Sequence, residues 1–118
     1  MAKKAMDYKR SDRVGDLLLE IVSQLLTKEV SDPRIGSINL TGAEVSRDLK
    51  HARIYFSLLT GNEGKTEVLS GLKSATGFIR AKIAKELKLR FVPAIQFVYD
   101  DTQDQARRIE DLLQQLKK

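Results

Sequence analysis

A chain of 118 residues, 42% of them apolar and 31% charged, reads as one globular domain with a modest core and not as a disordered segment. Cysteine is absent, which excludes disulfides, thiolate metal sites and a cysteine nucleophile. No apolar run approaches the roughly 20 residues a membrane-crossing helix needs, and a formal charge of +5 directs attention to an anionic partner.

In chain order, residues 1–10 (MAKKAMDYKR) are expected to form a loose basic arm, with no apolar segment behind them such as a secretory leader carries. Ser11 or Asp12 can cap a helix starting near Arg13, and Asp16 stands early in it, where negative charge suits the helix dipole. Val14, Leu17, Leu18, Ile21 and Leu25 repeat at helical spacing, widened by Leu19, Val22 and Leu26, so this helix should be well buried. It should stop by Val30, because Asp32-Pro33 disfavours helix. From Ser37 the period becomes two. Ile38 and Leu40 alternate, then Ala43 and Val45 in the opposite register, which predicts a β-bulge at Thr41-Gly42. Arg47 to Lys50 turns the chain, and Ala52, Ile54, Phe56 and Leu58 form the second strand of an antiparallel hairpin. After a loop from Thr60 to Gly64, a helix begins near Lys65 with Val68, Leu69 and Leu72 on one face.

The charge is not spread evenly. Lys73 to Arg90 (KSATGFIRAKIAKELKLR) carries six basic residues against one acid, a local charge of +5, and the other 15 basic and 15 acidic residues cancel. Such concentration reads as a contact surface for a polyanion. Gly77 lies inside the stretch and predicts a helix–kink–helix. Beyond it, Ile79, Ile83 and Leu87 fall within about 80° of arc at roughly 100° per residue. Lys82, Lys85 and Lys88 take the opposite half of the wheel, with Arg80 at its flank. Phe91 to Tyr99 is expected as a third strand, with Ile95, Phe97 and Tyr99 alternating and Pro93 at its start or on an edge. A C-terminal amphipathic helix over 102–118 presents Ala106, Ile109, Leu112, Leu113 and Leu116. The order α-β-β-α-kink-α-β-α, without linker or repeat, implies a single α+β domain over 1–118: a three-stranded sheet with helices on one face.

Two motifs compete with this reading. Gly61-Asn62-Glu63-Gly64 is literally GxxG, but it joins a strand to a helix, and Glu63 would repel phosphate, so a turn is the economical reading. Gly64-Lys65-Thr66 has the tail of a phosphate-binding loop, yet Leu59 stands where that motif needs its first glycine. His51 has no partner histidine or cysteine for a metal and no Ser-His-acid set, and reads as a turn or strand-edge residue. With Arg47, Lys50 and Arg53 it marks a second basic patch, which Glu44 and Asp48 partly neutralise. Asp100, Asp101 and Asp104 are read as helix capping beside Thr102; Tyr8, Tyr55 and Tyr99 are candidates for stacking, with core or surface packing the preferred reading of each. No catalytic residue, metal or cofactor is assigned.

The segment β-α-kink-α-β resembles the core of a KH domain, in which the junction between two helices clamps single-stranded RNA. Where a standard KH domain has GxxG, this chain has Ser74-Ala75-Thr76-Gly77, an Ala-x-Gly. With RVGDLLLEIVSQLLTKEVSDPR at Arg13–Arg34, VSRDLKHARIYFS at Val45–Ser57 and LRFVPAIQFVYD at Leu89–Asp100, it resembles the ribosome-binding factor A family over roughly residues 8 to 110. The resemblance implies a type II KH-like fold and a non-catalytic cytoplasmic protein, a monomer without cofactor, small-molecule substrate or membrane. It further implies binding to the free, immature 30S subunit and its 16S rRNA, a part in late rRNA processing, and growth in the cold. The expected RNA contacts are Lys73, Ala75, Thr76, Gly77, Arg80, Lys82, Lys85, Lys88 and Arg90. Small side chains at Ala75 and Gly77 would let an RNA backbone come close. The alternative is a general single-stranded RNA-binding KH module with no dedication to ribosomes.

Overall fold

The computed structural model describes residues 9–36 and 38–117, so Ser37 and all but the last two residues of the expected basic arm lie outside the described residues. Six elements follow one another: α1 (Arg10–Lys28), β1 (Ile38–Val45), β2 (His51–Leu58), α2 (Lys65–Leu87), β3 (Ala94–Tyr99) and α3 (Thr102–Leu116). The strands lie in the order β1-β2-β3, with β1 and β2 antiparallel and β3 parallel to β2. That parallel pairing requires a crossover, and α2 supplies it.

The helix α1 starts three residues before the expected Arg13. Lys9 is its cap, and the Lys9 backbone N–H donates to Asp12 Oδ2 at 3.0 Å. Asp12 therefore caps from inside the first turn, and Ser11 is buried instead of capping. Val14, Leu18, Val22 and Leu25 enter the core and Leu19, Ile21 and Leu26 pack against it, while Leu17 stays 41% exposed. In the β1–β2 hairpin, Leu40 pairs with Phe56 and Gly42 with Tyr55, which leaves Thr41 as the extra residue of the expected bulge. Ala52, Ile54 and Phe56 from one face of β2 join Leu18, Val22, Leu72, Ile79 and Ile83 in a single core.

Gly77, the expected kink, does not interrupt the helix: α2 is one continuous helical segment of 23 residues. The magnitudes explain why. A glycine inside a helix costs about 1 kcal/mol relative to alanine. Burying Val68, Leu72, Ile79 and Ile83 is worth about 1.5–3 kcal/mol each, and they lie on both sides of Gly77 along one face of one helix. Splitting the helix would rotate half of that face away from the sheet. A second glycine of α2 does have a packing reason. At Gly71 the segment Asp32–Ile35 crosses the helix, and a Cβ there would lie 2.8 Å from Ile35 Cγ1 and 3.2 Å from Arg34 Cβ. Arg34 holds that segment shut through Nη2 and Nε to Asp32, at 2.6 and 3.0 Å, and Nη1 to Ser70 Oγ at 3.2 Å.

The strand β3 begins at Ala94, later than the expected Phe91, because Pro93 donates no backbone hydrogen bond and fills a fully buried position just before it. At its far end Asp100 ties three elements together. Its Oδ1 accepts from the Thr102 hydroxyl at 2.6 Å and the Thr102 N–H at 3.0 Å, and its Oδ2 from the Thr41 hydroxyl at 2.7 Å. These bonds, the Thr102 hydroxyl first, hold the Asp100 carboxyl below the usual carboxylate range. Asp101 accepts from Gln105, and Asp104 from the Tyr99 hydroxyl. Burial and then Asp104 push the Tyr99 phenol up to about 12. The helix α3 buries none of its residues and exposes Ile109, Leu112, Leu113 and Leu116.

The two glycines of α2 should respond oppositely to alanine. Gly77→Ala, with nothing within 4 Å of the new methyl, should raise stability by about 1 kcal/mol in urea unfolding. Gly71→Ala should lower it by about 1–2 kcal/mol, since Ile35 must move. For Asp100, the unfolded chain takes up its proton at a higher pH than the folded one. The carboxylate's contribution is therefore complete above the ordinary value of 3.8 and is lost as pH falls through the lower folded value. Asp100→Asn should cost about 1 kcal/mol at neutral pH and flatten the fall in stability below pH 4, measured by urea titration at each pH.

Candidate nucleic-acid interface

The helix α2 has an inner and an outer side, and the expected contact residues divide between them. Ala75 packs against the core on the same side as Leu72 and Ile79, so its small size serves the helix–sheet contact. Thr76 is half-buried, and its hydroxyl donates to the Leu72 carbonyl at 2.9 Å. Gly77 is exposed with open space where a side chain would stand. Lys73 and Lys85 are exposed on the helix, whereas Lys88 lies just past its end in the left-handed conformation that stops it, φ 50°. Lys73, Lys85 and Lys88 form no ion pair among the described residues.

Two of the expected phosphate ligands are engaged within the fold. Arg80 donates through Nε to the Pro93 carbonyl at 3.1 Å and through Nη2 to the Val92 carbonyl at 3.0 Å. It thereby satisfies backbone acceptors in the connection between α2 and β3, leaving only part of its guanidinium outward. Lys82 is half-buried, with Nζ 3.3 Å from Glu29 Oε1 at the end of α1 and 5.5 Å from the centre of the Phe78 ring. Its charge is shared with α1 before any ligand arrives.

Sequence reasoning overlooked two aromatic residues. Phe78 is 44% exposed and Phe91 69%, each with a cation 5.5 Å from its ring centre: Lys82 for Phe78, Arg90 for Phe91. Aromatic rings interleaved with lysine and arginine are a signature of single-strand binding, because every base has a face that can stack. That interleaving is present in the sequence itself. Also missed was a groove of about 340 Å³ between α2 and β3, lined by Leu69, Lys73, Thr76, Ile95, Gln96 and Phe97. It has an apolar floor and a lysine on its rim. It depends on β3 lying beside α2 at the sheet edge, which residue order alone does not show.

The remaining sequence candidates fall elsewhere. Gly61 and Gly64 both adopt positive φ in a tight turn, 72° and 83°, and a Cβ on Gly61 would lie 3.2 Å from Asp104 Oδ1 of α3. Arg47, Lys50 and Arg53 are exposed around the β1–β2 turn and on β2. Among the described residues, no three His, Cys, Asp or Glu residues come together to hold a metal ion, and no helix is long and apolar enough to cross a membrane.

Comparison with known proteins gives a consistent result. The family model described as ribosome-binding factor A matches residues 10–113. A relative of that name from Geobacter metallireducens is 46% identical over 109 residues, covering 92% of each chain, and one from Thioalkalivibrio sulfidiphilus is 39% identical over 107 residues, 91% of this chain and 83% of that one. The solution structure of a Thermotoga maritima protein superimposes with a TM-score of 0.72 at 28% identity, over 80% of this chain and 91% of that one. Coordinates of Thermus thermophilus ribosome binding factor A, fitted into a cryo-EM map of its 30S complex, share the fold with a TM-score of 0.54 at 21% identity, over 75% of this chain and 89% of theirs.

Arg80→Gln should release the Val92 and Pro93 carbonyls and loosen the connection before β3. We expect a stability loss of about 1–2 kcal/mol and faster amide exchange across Phe91–Ala94, whereas Lys85→Gln should leave both within error.

Proposed function

Because the chain belongs to the ribosome-binding factor A family, we propose that it binds the free, immature 30S subunit through 16S rRNA and acts without catalysis in late maturation of that RNA. The observation that carries the reading is Gly77. It costs the helix about 1 kcal/mol, its backbone conformation is one any residue adopts, and no neighbour needs the space. A residue that weakens the fold without a packing reason is best explained by a ligand whose backbone approaches α2 there. Phe78 stands beside it as a stacking surface, and the groove along Leu69, Thr76 and Phe97 receives the strand. Lys73, Lys85, Lys88 and Arg90 neutralise phosphates, while Arg80 and Lys82 act mainly by holding the surface in shape.

In this reading β2, α2 and β3 work as a KH-type clamp in which an uninterrupted helix replaces the Gly-rich junction. Fewer backbone amides are then free to grip phosphate, so side-chain cations carry more of the affinity. The protein works in the cytoplasm as a monomer and needs no cofactor. Its binding energy holds an immature rRNA conformation until release, a demand that grows in the cold as RNA structures become more persistent.

On a sucrose gradient the protein should co-migrate with free small subunits and not with translating ribosomes. Lys85→Gln and Lys88→Gln should each weaken binding and lower the slope of log affinity against log salt by about 1. Gly77→Val should weaken binding at least tenfold, roughly the effect of removing one stacked base. Unaltered salt slopes in both lysine variants would sink the phosphate-neutralising role, and affinity for arbitrary single strands equal to that for small subunits would favour a general RNA-binding module.

A further inference from the structure

The face of the sheet opposite α1 and α2 presents a second ordered surface. Alternate residues of β2 point there, with exposure falling along the strand: His51 and Arg53 are exposed, Tyr55 is half-buried and Ser57 is buried. The strand register places Glu44, Arg53 and Gln96 in one row across the sheet and Gly42, Tyr55 and Val98 in the next. The β1 position directly paired with Tyr55 therefore carries no side chain, and the β1 side chain that reaches the ring is Glu44 of the neighbouring row. Gly42 needs no left-handed backbone, and a Cβ there would meet nothing within 4 Å. A glycine inside a strand weakens it and marks a bulge, which Gly42 borders here, or a close approach by another chain.

The ring is also held at its far end. Its hydroxyl donates to Glu44 Oε1, and this bond raises the phenol's pKa while neighbouring Arg53 opposes the rise. Next to it lies a hollow of about 270 Å³ lined by Glu44, Val45, Ser46, His51 and Arg53. Around the hollow, Arg47, Lys50 and Arg53 form no ion pair among the described residues and outnumber the carboxylates of Glu44 and Asp48, so the balance of charge favours an anion. Asp48 accepts from the Ser46 hydroxyl and the Lys50 N–H, and Glu44 from Tyr55.

We propose that this open sheet face is a second single-stranded RNA contact, where an unpaired base stacks on Tyr55 in the space beside Gly42 and Arg53 and Lys50 take the flanking phosphates. It rests on the RNA-binding reading above and adds a separate surface on the other side of the sheet. RNA could then engage both sides of the domain, which a groove along α2 alone does not provide.

The test uses the full chain and a mixed-sequence single-stranded RNA of about ten nucleotides carrying 4-thiouridine. Tyr55→Leu should weaken binding about tenfold without changing the salt slope, because the ring carries no charge. Tyr55→Phe should stay within about threefold, and Arg53→Gln should lower the slope by about 1. Photo-cross-linking of the unmodified protein should label the peptide containing His51 to Leu58. A folded Tyr55→Leu protein with unchanged affinity overturns the proposal. If that variant fails to fold, the absence of a cross-link in that peptide overturns it equally. Weaker binding to small subunits with unchanged binding to bare RNA would assign the face to a ribosomal protein, which also overturns it. Failure of the parent reading looks different: the unmodified protein then binds neither RNA nor small subunits.

Discussion

Everything in this domain hangs on the seam where Val68, Leu72, Ile79 and Ile83 of α2 meet Ala52, Ile54 and Phe56 of β2. The crossover that makes β3 parallel to β2 passes along this seam, so burial of α2 and completion of the sheet are one event. The seam also orients α2. With its inner side committed to the sheet, the outer side is left to Lys73, Gly77, Phe78 and Lys85. The same packing that stabilises the fold thus sets which side chains of α2 face outward.

Three glycines show how differently one residue type is used. Gly71 is small because the Asp32–Ile35 segment crosses within van der Waals contact of the helix. Gly77 and Gly42 have no such neighbour, and each stands beside an aromatic ring, Phe78 next in sequence and Tyr55 across the strand pair. A packing reason is available for Gly71, and Gly42 borders the bulge at Thr41, whereas Gly77 has neither.

The charged groups divide in a similar way. Arg80 and Lys82 lie within the basic stretch and count toward its net charge, yet backbone carbonyls and Glu29 respectively hold them in place. Lys73, Lys85 and Lys88 contribute the same charge with no ion-pair partner among the described residues. Exposed cations gain little from surface pairing, so leaving them unpaired costs the fold almost nothing and keeps them available to phosphate.

Much of this was written in local patterns. The switch from helical to alternating periodicity located α1, the hairpin and its bulge at Thr41, because side-chain period and backbone geometry are tied residue by residue. The concentration of charge in Lys73–Arg90 was equally legible, since charge needs no fold to be counted. Local reasoning failed where two segments distant in sequence compete or meet. It divided α2 into two helices joined at Gly77 because the propensity of one residue was visible and the burial on both sides of it was not. It assigned Ala75 and Arg80 outward roles because the sheet behind the one and the Val92–Pro93 carbonyls beside the other come together only in the folded chain. The amino-acid order by itself determined which segments are helical, which are extended and where the charge lies. Only the tertiary structure decided which glycines are crowded, which cations remain free and which aromatic rings face solvent, because each is a property of neighbours that folding brings together.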